Sequence, residues 1–169
     1  MALKADRHEA VTDISFFMNE TAERGVIVVH STAGSGSAMD DSNALVTIPT
    51  TASGTYPAGL LLNDMVNIDL TRQHLNQHQD EVQKGGKVTL LKEGWVVTNK
   101  IDPTTTDPTV GVPAYLASSG LLSVTNPAAY DASTLAGASA PLGNDDALVG
   151  RFLSTKDADG YAKVYIDIA

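Results

Sequence analysis

Cysteine is absent from this 169-residue chain, which excludes together a disulfide framework, a thiolate zinc site and a cysteine nucleophile. Basic residues are scarce: 11 Lys and Arg stand against 20 Asp and Glu, for a formal charge of −9. A surface of that sign repels nucleic-acid backbone and anionic membrane alike, so neither is expected as a partner. No apolar run approaches the roughly 20 residues of a membrane span, and the opening decapeptide MALKADRHEA has no secretory h-region, so a soluble chain is expected. Aromatics are few, and 21 of the apolar residues are alanines, which leaves material for a modest core in a length that suits one domain.

What the chain does have is Ala, Ser and Thr in abundance, 50 residues in all, a composition that favours sheets and ordered loops over helical bundles. Residues 1–24 are charged and mixed around one apolar knot, Ile14, Phe16, Phe17 and Met18, and read as an N-terminal arm, with a helix as the alternative. The β-branched run from Gly25 to His30 reads as a buried strand. Ala44 to Ile48, closed by Pro49, is a second strand; Gly59 to Leu62 and Met65 to Ile68 are two more. Leu70 to Lys84 is the most polar part of the body and is expected as an exposed excursion. After the turn Gly85-Gly86, Lys87 to Leu91 and Trp95 to Thr98 read as a hairpin across Lys92-Glu93-Gly94.

Residues 103–150 contain no Lys, Arg or His. Within them Val110 to Ala117 and Leu121 to Val124 are possible strands, and Asn126 to Asp146 reads as a long loop. Near the end, Ala162, Val164, Ile166 and Ile168 alternate with Tyr161, Lys163, Tyr165 and Asp167, the period of a half-buried strand. Short strands separated by turns predict an all-β fold, a small barrel or sandwich of antiparallel strands, with 1–24 as an extended arm and 25–169 as the single body.

Chemical motifs are thin. His74 and His78 are spaced to share a helical face near Asp80 and Glu81, yet a zincin would need Glu where Leu75 stands. A metal-assisted enzyme built on these two histidines is therefore the weakest of the readings. Asp157, Asp159 and Gly160 match part of a calcium loop, but Thr155 and Ile166 occupy the ligand positions that matter, and a hairpin turn explains the same residues. Gly34-Ser35-Gly36 lacks the lysine of a phosphate loop, no G-x-S-x-G elbow exists, and Asn19-Glu20-Thr21 is a sequon only in form. No cofactor is expected and no catalytic residue is assigned. Two features favour recognition instead: the Phe16, Phe17 and Met18 cluster, and Trp95, the one tryptophan, whose alternative is ordinary core packing.

The stretches Asp13 to Glu20, Gly59 to His74, Asp80 to Leu91 and Gly94 to Asn99, with Val149 to Ser154 and Gly160 to Ile166, together resemble capsid decoration, or cement, proteins of tailed bacteriophages. The resemblance spans about half the chain and carries no catalytic motif. It implies a β-rich structural protein, made in the host bacterial cytoplasm, that binds the outer surface of the head and stabilises contacts between major capsid protein subunits. It also implies a homo-oligomer, a trimer before a dimer. An arm that adds a strand to an exposed sheet edge would suit that task, and weak contacts repeated on a lattice gain avidity. The residues expected to bind the partner are Ile14, Phe16, Phe17 and Met18 in the arm, with Arg72, His74 and His78 in the excursion. The alternative within the virion is a tail, baseplate or head-fibre-base component.

Overall fold

A computed structural model describes residues 2–31, 44–52, 55–62, 81–127 and 147–168. Twelve strands run through them: β1 (Leu3–Asp13), β2 (Phe17–Met18), β3 (Ala22–Glu23), β4 (Ile27–His30), β5 (Leu45–Thr47), β6 (Pro57–Leu61), β7 (Glu81–Val82), β8 (Leu90–Thr98), β9 (Pro113–Leu116), β10 (Leu122–Ser123), β11 (Leu148–Phe152) and β12 (Ala162–Asp167). A short 3-10 turn spans Ser118–Gly120. The main sheet runs β10-β9-β11-β12-β8-β6-β4-β5-β2, with β1 paired to β8, and β3 and β7 form a separate two-stranded sheet. Its pairings are antiparallel except β2 with β5. The sheet is open, so of the two expected forms the barrel is corrected and the all-β sandwich is the one the architecture is consistent with.

Strand β8 explains the layering. Its first residues pair with β6, at Leu60↔Leu91 and Leu61↔Leu90, and its remainder pairs with β12 from Glu93 to Thr98. The two halves of the sheet meet along it and share a core of Leu3, Ile27, Leu60, Leu91, Val96, Phe152 and Ile166 with their neighbours. A second cluster, including Met18, Val28, Val46, Leu61 and Leu90, lies on the opposite face of β4 and β6. Ile27 and Val29 therefore enter one core and Val28 the other, which is why β4 reads as an unbroken apolar run. Strand β12 is buried on one face only, with Ala162, Val164 and Ile166 inward, and shows the alternation expected of it.

Two expectations are corrected here. The Lys92-Glu93-Gly94 stretch is the middle of one continuous strand and not a hairpin turn. Gly94 stands at φ +145°, and a Cβ there would lie 2.1 Å from the His8 carbonyl oxygen; glycine serves the close passage of β1 beside β8, a use that looks like a turn in sequence. The segment 1–24 is likewise no detached arm or helix. Strand β1 pairs with β8 from Leu3↔Thr98 to Asp13↔Leu90, and Ala2, Leu3, Met18 and Ala22 are buried. The buried Thr98 hydroxyl accepts from the Lys100 N–H at 3.1 Å and has the Ala2 carbonyl at 3.2 Å and the Gly25 carbonyl at 3.4 Å as acceptors, so this buried polar group ties the first residues to the body and is fully satisfied.

A surface clip holds the same end of β1. The Lys4 ammonium donates to Asp157 Oδ2 at 2.6 Å and lies 4.3 Å from the Tyr161 ring centre. The hydrogen bond with Asp157 is the main cause of a raised Lys4 pKa, and the bond from Lys4 is the main cause of a lowered Asp157 pKa. Asp157 Oδ1 accepts from the Asp159 and Tyr161 N–H groups, as the hairpin-turn reading of these residues requires.

Of the excursion at Leu70 to Lys84, only its end is described. Glu81 and Val82 pair with Glu23 and Ala22, and Val82 is buried. The expected strand at Met65 to Ile68 and most of the expected loop at Asn126 to Asp146 lie outside the described residues.

Candidate functional site

Register builds the site. Antiparallel partners project to the same side of a sheet, and Trp95 stands between buried Gly94 and Val96, which turns its indole outward. Opposite it on one side is His8 of β1, and on the other Tyr165 of β12. Tyr165 is in turn opposite Arg151 of β11, and Arg151 is opposite Pro113 of β9. One row thus crosses five strands as His8, Trp95, Tyr165, Arg151 and Pro113. Val11, opposite Glu93, and Leu148, opposite Tyr115, add exposed apolar area to the same face, at 47% and 43% exposure.

The row is organised by contacts among its own members. The Lys163 ammonium lies 3.3 Å from the Trp95 ring centre, where the negative face of the indole attracts it. The His8 ring lies nearly parallel to the indole, at 20° and 6.5 Å between centres. Tyr165 donates its hydroxyl to Glu93 Oε1 at 3.1 Å. That hydrogen bond, followed by burial and the charges of Glu93 and Asp167, raises the phenol pKa, so Tyr165 presents a neutral hydroxyl. Trp, Tyr and Arg are the residue types that dominate binding energy at protein interfaces, and here all three stand adjacent on a rigid sheet. Chemically the face offers a flat aromatic surface, cations from Lys163 and Arg151, and acceptors from Glu93 and Asp167.

The residues expected from sequence fall elsewhere. Ile14 is exposed at 39%. Phe16 is half-buried against the second core cluster and meets the His30 ring edge-on at 5.2 Å. Phe17, also half-buried, donates its N–H to the Ala44 carbonyl at 2.8 Å, with the Lys87 ammonium 5.5 Å from its ring centre. Met18 is wholly buried, so it is a core residue and no contact residue; the alternation of β2 sends Phe17 and Met18 to opposite sides. Arg72, His74 and His78, and with them the two-histidine metal reading, lie outside the described residues.

The sequence allows Trp95 to be anchor or core, and it stands outside both core clusters. Sequence reasoning passed over Tyr165 and Lys163, although the alternation of β12 already named them as the outward set. For His8 and Arg151 the sequence carries no signal, because only cross-strand register brings them to Trp95.

No protein-family model matches the chain, and no curated protein matches it. Among the described residues no helix is long and apolar enough to cross a membrane.

Proposed function

We propose that the protein is a structural component of a phage virion that binds the outer surface of the head and stabilises contacts between major capsid protein subunits. The observation that carries the reading is the outward row of His8, Trp95, Tyr165 and Arg151, a preformed flat surface of interface-type residues on an otherwise acidic molecule. The resemblance of Asp13 to Glu20, Gly59 to His74, Asp80 to Leu91, Gly94 to Asn99, Val149 to Ser154 and Gly160 to Ile166 to cement proteins supports a major capsid protein as the partner. A rigid sheet loses little conformational freedom on docking, and many weak copies on a symmetric shell reinforce one another. The arm role expected for residues 1–24 passes to the sheet face, because β1 is committed to β8.

The test is a titration of purified protein onto heads that lack it. Trp95 is the only tryptophan, so its fluorescence reports docking directly. Saturation at hundreds of copies per particle with a change in Trp95 emission supports the reading; binding of a dozen or fewer copies favours a tail or baseplate position.

A further inference from the structure

The long outer edge of β1 is the feature that the sheet face does not use. The inner edge of β1 pairs with β8 at Leu3, from Arg7 to Glu9 and from Val11 to Asp13, while its outer edge meets no other strand among the described residues. The ends of the main path, β10 and β2, are two residues each, but β1 has eleven. None of its residues from Lys4 to Asp13 is buried. Proteins usually shorten, cover or charge such an edge, because unpaired backbone groups recruit another strand.

We propose that β1 pairs antiparallel with β1 of a second copy of this chain, about a two-fold axis through His8. Charge suits this occupant and is compatible with this register. A two-fold through His8 sets Arg7 against Glu9 of the second copy and Glu9 against its Arg7, with Asp6 against Ala10 and Lys4 against Thr12. A shift that centres the axis between Arg7 and His8 would instead set Asp6 against Glu9, with like charges opposed. Lys4 and Arg7 nearly balance Asp6, Glu9 and Asp13 along this edge, whereas the chain as a whole carries −9, so the general repulsion between two copies is small here.

The bulges of β1 fit the same arrangement. Register shifts fall between Leu3 and Arg7, between Glu9 and Val11, and between Val11 and Thr12, which leaves Arg7-His8-Glu9 as the longest regular stretch. Pairing centred on it is short and closes on itself, since a two-fold contact uses the edge once and cannot propagate into a fibre. Residues opposite each other share a face. The two Trp95 rows therefore join through the paired His8 residues into one surface twice as long. The pairing does not depend on a phage head, and it replaces the trimer expected from resemblance with a dimer.

The experiment is sedimentation velocity on the purified full chain, with circular dichroism to verify that each variant is folded. The wild-type chain is expected to sediment as a dimer. Arg7→Glu and Glu9→Arg singly set like charges opposite each other and are expected to weaken the dimer about tenfold each, and the double exchange is expected to restore it. The Arg7 side chain also contacts Glu9 of its own strand at 2.5 Å; if that were the whole role of the pair, the single variants would leave the mass unchanged, which would overturn the proposal. In this cysteine-free chain, His8→Cys is expected to give a disulfide-linked dimer under mild oxidation, since the two β-carbons at the axis lie within about 5 Å, and Lys4→Cys is not. A wild-type monomer or trimer, or the absence of a His8→Cys crosslink, overturns it.

Discussion

The Lys163 ammonium sits 3.3 Å from the centre of the Trp95 ring, and both residues project from the face of the sheet away from the buried Val96 and Val164. A cation on an exposed indole contributes about 0.5–1 kcal/mol, too little to explain placing the only tryptophan outside the core. Trp95→Ala should therefore cost folding stability about 1 kcal/mol while weakening attachment to heads by about 2 kcal/mol or more, as interface anchors do. Thermal unfolding read beside a head-binding titration checks the split; a variant that loses stability and keeps its binding would remove Trp95 from the interface.

Gly94 permits the close approach of β1 beside β8, with the His8 carbonyl oxygen 2.1 Å from where a Cβ would be. Gly94→Ala should destabilise by about 2–4 kcal/mol, since backbone on one strand or the other must move. Gly85→Ala is the matched control: Gly85 has φ +78° and open space around it, so only the backbone cost of about 1–2 kcal/mol applies. Denaturant midpoints of the two variants should separate accordingly.

Leu3 is 1% exposed and belongs to the main core. Leu3→Ala should cost about 2–5 kcal/mol, the range for emptying a buried leucine site, although only Met1 and Ala2 precede it. Deletion of residues 1–24 should abolish cooperative unfolding altogether, because it removes Leu3, Met18 and Ala22 from the two cores. A deletion variant that melts sharply near the wild-type temperature would restore the detached arm.

His30 is expected to make stability sensitive to mild acid. Burial, and then the charge of Lys92, lower its pKa below the usual 6.5, with Asp13 acting in the opposite direction. A depressed pKa means that the unfolded chain takes up the proton first, so stability rises with pH through this window. The contribution is complete above about pH 6.5 and is lost as pH falls through the lower folded value. Unfolding midpoints at pH 7.5 and 5.5 should show the wild type weaker in acid and His30→Gln less affected by the change.

The legible parts of the fold were those in which one residue's neighbours in sequence decide its environment. The alternation from Ala162 to Ile168 and the unbroken run at Val26 to Val29 gave β12 and β4 directly, because one is buried on a single face and the other on both. Strand β1 escaped because neither face from Lys4 to Asp13 is buried, so no hydrophobic period exists to be seen. Strand β8 was split at Gly94 because a glycine that admits a neighbouring strand and a glycine that makes a turn look the same in one dimension. The face around Trp95 was half legible: the tryptophan and the outward residues of β12 stood in the sequence, but their meeting with His8 and Arg151 is a product of register. Phe16 and Phe17 drew attention as aromatic residues near a terminus, and packing against the second core and the Lys87 ammonium accounts for part of their surface.

Electron cryomicroscopy of heads saturated with the purified protein distinguishes a shell component from a tail component. Density for the chain is expected at repeated sites on the outer shell, bridging adjacent capsid subunits, with the Trp95, Tyr165 and Arg151 face turned toward them. Heads that bind none of it, or particles carrying it only along the tail, would contradict the account.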